Sequence, residues 1–255
     1  MRTLVPVAVA ALILLAGCGG GAGPSTATPA PTTETPTPTP TPSPPSPADV
    51  AGVNETGANV STLLAGHRDA LTGRSLTLEY TVVSNDTRTT LTEHVAVGGQ
   101  PLLVRSETGD RTQTTYVANG TTYVRSTQGG ESTYNRANRT SGLTHPSSYS
   151  GASDLGQFMG ALDYEPNGTV VENGTGMLVL EATDGAFNET AMAEQNVTVD
   201  TFRSTAYVDR NGVIRKFVYH VEGTRNGASY SYTSRVRIYD VGSTEVPRPD
   251  WLDEV

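Results

Sequence analysis

The chain predicts an α+β fold, a strongly curved antiparallel sheet with two or three helices covering one face. Three observations predict it. Apolar residues alternate with polar ones along most of the chain after Gly73, as in Leu76, Leu78, Tyr80 and Val82 against Thr77, Glu79 and Thr81, which is the period of a half-buried strand. Asn-Gly pairs separate such runs at Asn119-Gly120, Asn211-Gly212 and Asn226-Gly227, and this pair favours tight hairpins because both residues tolerate positive φ. Helical spacing is confined to two stretches, so helices are inserted into a meander. A sheet this long must curl or close to hide its edges and its apolar face.

The N-terminal stretch reads as a targeting segment. Arg2 supplies a positive start, and Leu4 to Leu15 an apolar run shorter than the roughly 20 residues a bilayer-spanning helix needs. Leu15-Ala16-Gly17-Cys18 follows. Its small residues suit a peptidase that grips extended chain, and its thiol suits a lipid transferase, since a thiolate is the nucleophile required. Cys18 is the single cysteine, so no disulfide partner competes for it. Residues 1–17 are therefore expected to be a lipoprotein signal peptide and Cys18 the lipidated residue. Two acyl chains would hold the protein on the extracellular face of a cell membrane. The alternative is an ordinary signal peptide in which Cys18 is incidental. No twin-arginine pair is present, which favours general secretion.

Residues 18–49 complete the lipidated cysteine and a Thr/Pro-rich linker. Pro24 to Pro47 contains ten prolines and no bulky apolar residue, so nothing in it offsets the entropy of ordering. Polyproline II geometry, at about 3.1 Å per residue, would extend these residues to roughly 75 Å. The threonines are candidate O-glycan acceptors.

The net charge of −9 argues against a nucleic-acid partner, which calls for a basic stripe. The basic side chains are 16 arginines and one lysine, Lys216. An acidic surface nearly free of lysine fits work in high salt, where carboxylate repulsion is screened. A GC-rich coding sequence gives the same bias. Nine of the twelve asparagines stand in N-x-[ST] sequons, which favours glycosylation of an exported surface. Asn119, Asn167 and Asn173 are equally explained as turn residues before Thr-rich strands. Asn54, Asn85, Asn138, Asn188 and Asn196 are the better candidates.

One domain is expected over residues 50–255, long enough to bury a single core. Val60, Leu63, Leu64, His67, Ala70 and Leu71 recur at helical spacing up to Gly73. His67 lies beside that apolar stripe and is read as packing, not as a ligand. Strands follow around Leu76–Val82, Leu91–Val97, Leu102–Val104, Gln113–Ala118, Thr121–Ser126 and Ser132–Arg136. The stretch from Ala137 to Gly151 is loop. Ser153 is placed to cap a helix carrying Leu155, Phe158, Met159 and Leu162. Further strands are read at Asn167–Glu172, Met177–Ala182, Val197–Arg210, Val213–Glu222 and Tyr230–Ile238, with Asp184–Gln195 ambiguous. Trp251 is expected to pack on the sheet edge.

This order of elements resembles the LolA/LppX/LprG-like lipoproteins. Ala206-Tyr207-Val208-Asp209-Arg210-Asn211-Gly212-Val213-Ile214 is similar to a hairpin of that group. The stretch from Tyr239 to Pro247, with Trp251 after it, resembles the end of uncharacterised cell-surface lipoproteins of halophilic archaea. The resemblance implies a half-barrel with helices over its open side. It also implies lipid or acyl-chain binding or carriage between sheet and helices. A half-closed sheet leaves a concave apolar face that helices either fill or lid. Leu78, Tyr80, Leu103, Phe158, Met159, Leu162, Phe217, Tyr219 and Tyr230 are the candidates to line such a cavity or to pack a core. A glycosylated cell-surface protein with a structural or partner-binding role and no ligand cavity is the other reading.

The sequence carries no G-x-S-x-G elbow, no H-E-x-x-H and no phosphate-cradling glycine loop, and His67, His94, His145 and His220 are scattered. Asp209-Arg210-Asn211-Gly212 starts like a calcium loop but lacks the later ligands, so it reads as a turn. No catalytic residue, metal or cofactor is assigned, and the chain is not read as an enzyme. Replacing Cys18 by serine is expected to release the protein into the medium; a Cys18→Ser chain that stays in the membrane fraction overturns the tether.

Overall fold

The computed structural model describes residues 43–138, 142–183 and 197–255. Cys18, most of the linker, the ambiguous stretch 184–195, Asn188 and Asn196 lie outside the described residues. The chain enters through a short ribbon, β1 (Val53–Asn54) and β2 (Gly57–Ala58), into helix α1 (Val60–Leu71). Asn59 caps α1, its side chain accepting the Thr62 N–H at 3.0 Å. Six strands follow: β3 (Leu76–Ser84), β4 (Thr87–Val95), β5 (Leu102–Thr108), β6 (Arg111–Ala118), β7 (Thr121–Gln128) and β8 (Glu131–Ala137). Helices α2 (Pro146–Tyr149) and α3 (Ala152–Met159) are inserted next. The chain then forms β9 (Glu165–Glu172), β10 (Thr175–Thr183), β11 (Val197–Asp209), β12 (Ile214–Arg225) and β13 (Ala228–Tyr239).

The described strands β3 to β13 form one antiparallel sheet in the order β8-β7-β6-β5-β4-β3-β13-β12-β11-β10-β9. It is two sequential meanders joined at one seam, where β13 pairs with β3 from Tyr232↔Ser84 to Tyr239↔Thr77. The sheet curves but does not close, so β8 and β9 remain edges. Asn119-Gly120 and Asn226-Gly227 take the positive φ that a two-residue hairpin requires. Asn211-Gly212 turns differently. The Asp209 carboxylate accepts the N–H groups of Asn211 (2.8 Å) and Val213 (3.0 Å) and pairs with Arg215 at 2.6 Å. Its oxygens are therefore spent on a turn.

Alternation sends one set of side chains to the concave face, where Leu78, Val95, Leu102, Leu178, Leu180, Ala206, Phe217 and Ile238 are buried. Leu63, His67 and Leu71 of α1 lie four residues apart on one helix face and are buried on this layer, as are Leu155 and Met159 of α3. α3 starts at Gly151, whose φ of 71° and position over Leu78 leave no room for a side chain: a Cβ there would lie 2.8 Å from the Leu78 Cδ1. Gly160 caps α3, so the helix ends at Met159 and Leu162 lies in the chain beyond it. Val97 lies past β4 in a short turn and is exposed rather than continuing the strand. Between Val199 and Thr201, β11 bulges against Gly223 of β12. A Cβ on Gly223 would overlap the Thr198 carbonyl oxygen, so the bulge requires glycine.

His67 connects three segments. Its Nδ1 accepts the Ile214 N–H at 3.1 Å, which leaves Nε2 to donate to the Ser150 carbonyl at 2.9 Å. The ring is fully buried, and burial pushes its pKa down to about 4. An unfolded chain holds this proton more tightly, so stability from this group is complete above pH 6.5 and is lost as pH falls from there toward about 4.

Both ends of the described chain are tied down. Pro44 lies against Gly176, and Arg210 reaches Asp49 at 3.4 Å and the Pro44 carbonyl at 3.5 Å. The C-terminal tail leaves β13, hydrogen-bonds through Gly242 N–H to the Ser75 carbonyl (2.7 Å) and through Thr244 to Thr77 (3.0 Å). It then places Trp251, almost fully buried, 6.1 Å from the ring of Tyr134 in edge strand β8. The tail thus straps the outer face from the seam to one edge. Trp251→Ala is expected to lower unfolding stability by about 3 kcal/mol, read as a shifted denaturant midpoint; an unchanged midpoint means the strap carries no stability.

Candidate ligand face

The helices are smaller than the sheet they cover. β11 to β13 have 12–13 residues each, about 40 Å at roughly 3.3 Å per residue. α1 has 12 residues and α3 has 8, about 18 and 12 Å at 1.5 Å per residue. Beneath them the layer is solid. Leu78, Met159, Leu162, Phe217 and Tyr219 are all buried there.

Beyond α3 the concave face continues half-buried through Tyr80, Leu91, Val199, Tyr230 and Tyr232. Phe158 is the meeting point. Its ring lies 5.0 Å from Tyr219, 6.1 Å from Phe217 and 6.2 Å from Tyr232, and Tyr219 stands edge-on to Tyr232 at 6.1 Å. Such tilted contacts suit the ring quadrupoles. Burial raises the Tyr219 phenol to about 12. It also raises Tyr232, which is raised further by Tyr80, its hydrogen-bonded neighbour. These phenols stay protonated near neutral pH, so the patch is aromatic, amphipathic and uncharged.

Two buried polar atoms on this face have no hydrogen-bond partner, Oε2 of Glu93 and Oγ of Ser234. Glu93 stands on β4 between Leu78 and Val104, and Ser234 on β13 between Val82 and Tyr219. Burial, with the nearby Asp154 carboxylate second, raises the Glu93 pKa to about 8. Alternation puts Glu93 on the same strand face as Leu91 and Val95, and the register opposite Leu78 confirms that it lies inside.

Of the nine lining candidates, eight share this concave side. Leu103 does not. It pairs with His94 and Tyr116, while Leu102 and Val104 point to the core. Three consecutive apolar residues gave no parity, and the register decides it. Asn54, Asn85 and Asn138 are exposed. Asn85 also has a turn role, with φ of 49° and its Oδ1 accepting the Ser231 N–H at 3.0 Å.

The outer face has a cleft of about 510 Å³ lined by charged groups, among them Glu79, Glu172, Arg215, Lys216, Arg237 and Asp240. Its cations are matched internally. Glu172 lies 3.4 Å from Lys216 and 3.8 Å from Arg237, and Arg215 pairs with Asp209. Among the described residues no group of three or more His, Cys, Asp or Glu side chains is placed to hold a metal, and no helix is long and apolar enough to cross a membrane.

Residues 3–255 match the model of a family of unknown function (DUF7537), and the chain belongs to that family. No curated protein matches it. Among solved structures it is similar to LprF from Mycobacterium bovis, with 11% identity and a TM-score of 0.41 over 76% of this chain and 99% of that one. It is similar to the lipoprotein LppX of Mycobacterium tuberculosis, with 10% identity and a TM-score of 0.39 over 73% and 98%. The Pseudomonas aeruginosa MucA/MucB complex gives 16% identity and a TM-score of 0.37 over 76% and 60%. Scores of this size carry no inference about what this chain binds.

The folded chain holds the Glu93 proton more tightly than an unfolded chain does. Stability from this group is complete below about pH 4.5 and is lost as pH rises through about 8. Above about pH 6.5 His67 is neutral in both states, so from there toward about 8 melting temperature is expected to fall as pH rises, and Glu93→Gln to remove that part of the fall. Parallel profiles for the two proteins would show that the carboxyl is not held neutral.

Proposed function

We propose that this member of the family is a membrane-anchored, extracytoplasmic lipoprotein that binds an amphipathic, lipid-like molecule. The carrying observation is the half-buried aromatic patch of Tyr80, Phe158, Tyr230 and Tyr232, which continues the core beyond the cover of α3. Burying such a surface against an acyl chain is favourable at roughly 25 cal/mol per Å², and contiguous apolar surface of this kind marks a binding site. The ligand lies along the open side of the half-barrel, with α3 as one wall. The lipid on Cys18 supplies the anchor and the Thr/Pro-rich linker the reach.

A second reading is favoured by the solid layer under the helices, where Leu155, Met159 and Phe217 leave no exposed surface. In it the domain is a glycosylated cell-surface module that binds a protein partner, with Asn54, Asn85 and Asn138 on its exposed turns.

Native mass spectrometry of the full chain after gentle extraction distinguishes the two. A co-purifying amphiphile is expected, and Tyr230→Ala is expected to lower its occupancy severalfold. A bare protein mass that also takes up no added long-chain amphiphile removes the first reading and leaves the second.

A further inference from the structure

Among the described residues, the aromatic face holds acidic groups with no counter-charge. Glu93 is only 7% exposed, and its Oε2 has no partner. β3 presents Leu78 directly opposite it and Tyr80 on the diagonal, and β5 presents Val104. The charged group that acts on it, among the described residues, comes from α3 and is another acid, Asp154. Asp154 is itself raised by burial. Tyr80 hydrogen-bonds Tyr232, and Tyr232 meets Phe158 and Tyr219. A second orphaned oxygen, Ser234 Oγ, lies beside Tyr219. The face therefore offers acceptors and π surfaces and, among the described residues, no cation.

We propose that Glu93 makes this face selective for amphiphiles with an alkylammonium head group, the ammonium lying against Glu93 and the tyrosine rings and the chain against Phe158. The inference rests on the ligand reading above and adds the class of head group. An isolated carboxylate in an apolar layer is costly, and a donor cation offsets that cost where an uncharged or anionic head cannot. Tyrosine faces add cation–π attraction. The electrostatics follow the same sense, because the empty site keeps Glu93 protonated up to about pH 8. Binding an ammonium group then sends the Glu93 proton to solvent, so affinity rises with pH.

The test is calorimetric titration of the full chain with dodecylammonium, dodecyl maltoside and dodecanoate, each below its micelle concentration. At about pH 8, dodecylammonium is expected to bind at least about tenfold more tightly than the other two, and the preference to shrink about tenfold or more by pH 6. Glu93→Gln is expected to keep binding the maltoside and to lose both the preference and its pH dependence. Equal affinities for the three probes in the unaltered chain overturn the proposal while leaving the ligand reading intact, as does a preference that survives Glu93→Gln. Should none of the three bind, the ligand reading itself fails and this inference falls with it. The pH dependence in the unaltered chain decides the matter even if the variant does not fold.

Discussion

One geometric mismatch governs the molecule: a single wide sheet turns most of its apolar side chains the same way, and mainly short helices are available to cover them. Among the described residues, the other sheet is the two-stranded ribbon β1–β2. Leu63, His67 and Leu71 of α1 with Leu155 and Met159 of α3 bury the end of the face that carries Leu78, Phe217 and Ile238. Where the helices stop, the tyrosines begin. Tyrosine suits that border because its ring packs while its hydroxyl tolerates water. Across β5 and β6 the same face changes from Leu102, Val104 and Val117 to Ser106, Thr108 and Gln113, so that wing needs no cover.

Apart from Asp209, which is paired with Arg215 at the turn, the described interior carries little charge. Burial keeps its base, His67, neutral, with both ring nitrogens on backbone groups. Burial, with the Asp154 carboxylate second, keeps its acid, Glu93, neutral. Charge is kept on the outer face, in pairs such as Arg203–Glu181 and Lys216–Glu172, which at this exposure contribute little to stability. Among the described residues, the buried side-chain oxygens left without a partner are two, both on the concave side.

Local chemistry was legible wherever it is written in neighbouring residues. Asn119-Gly120 and Asn226-Gly227 announced their hairpins, and the spacing of Leu63, His67 and Leu71 announced α1. What escaped is set by distant partners. Leu102-Leu103-Val104 gives no parity until β4 and β6 fix it. The pairing of β13 with β3 joins residues about 150 positions apart and has no local signature. Glu93 shares its strand face with Leu91 and Val95 and so could be placed inside, but its surroundings come from Leu78, Val104 and a helix that begins some sixty residues later. The aromatic patch was half visible: Tyr80, Phe158, Tyr219 and Tyr230 stood out as large apolar residues, but not that α3 would end beside them.

The seam has a consequence for biogenesis. Each meander is a series of neighbouring hairpins, able to form as its own residues become available. The edge of β3 that belongs to β13 has no native partner until β13, more than 140 residues further along, has been made. For all that time it is an open template for any extended segment, including one from another copy. Strand-order synthesis thereby ties solubility of the half-made chain to how quickly β13 arrives.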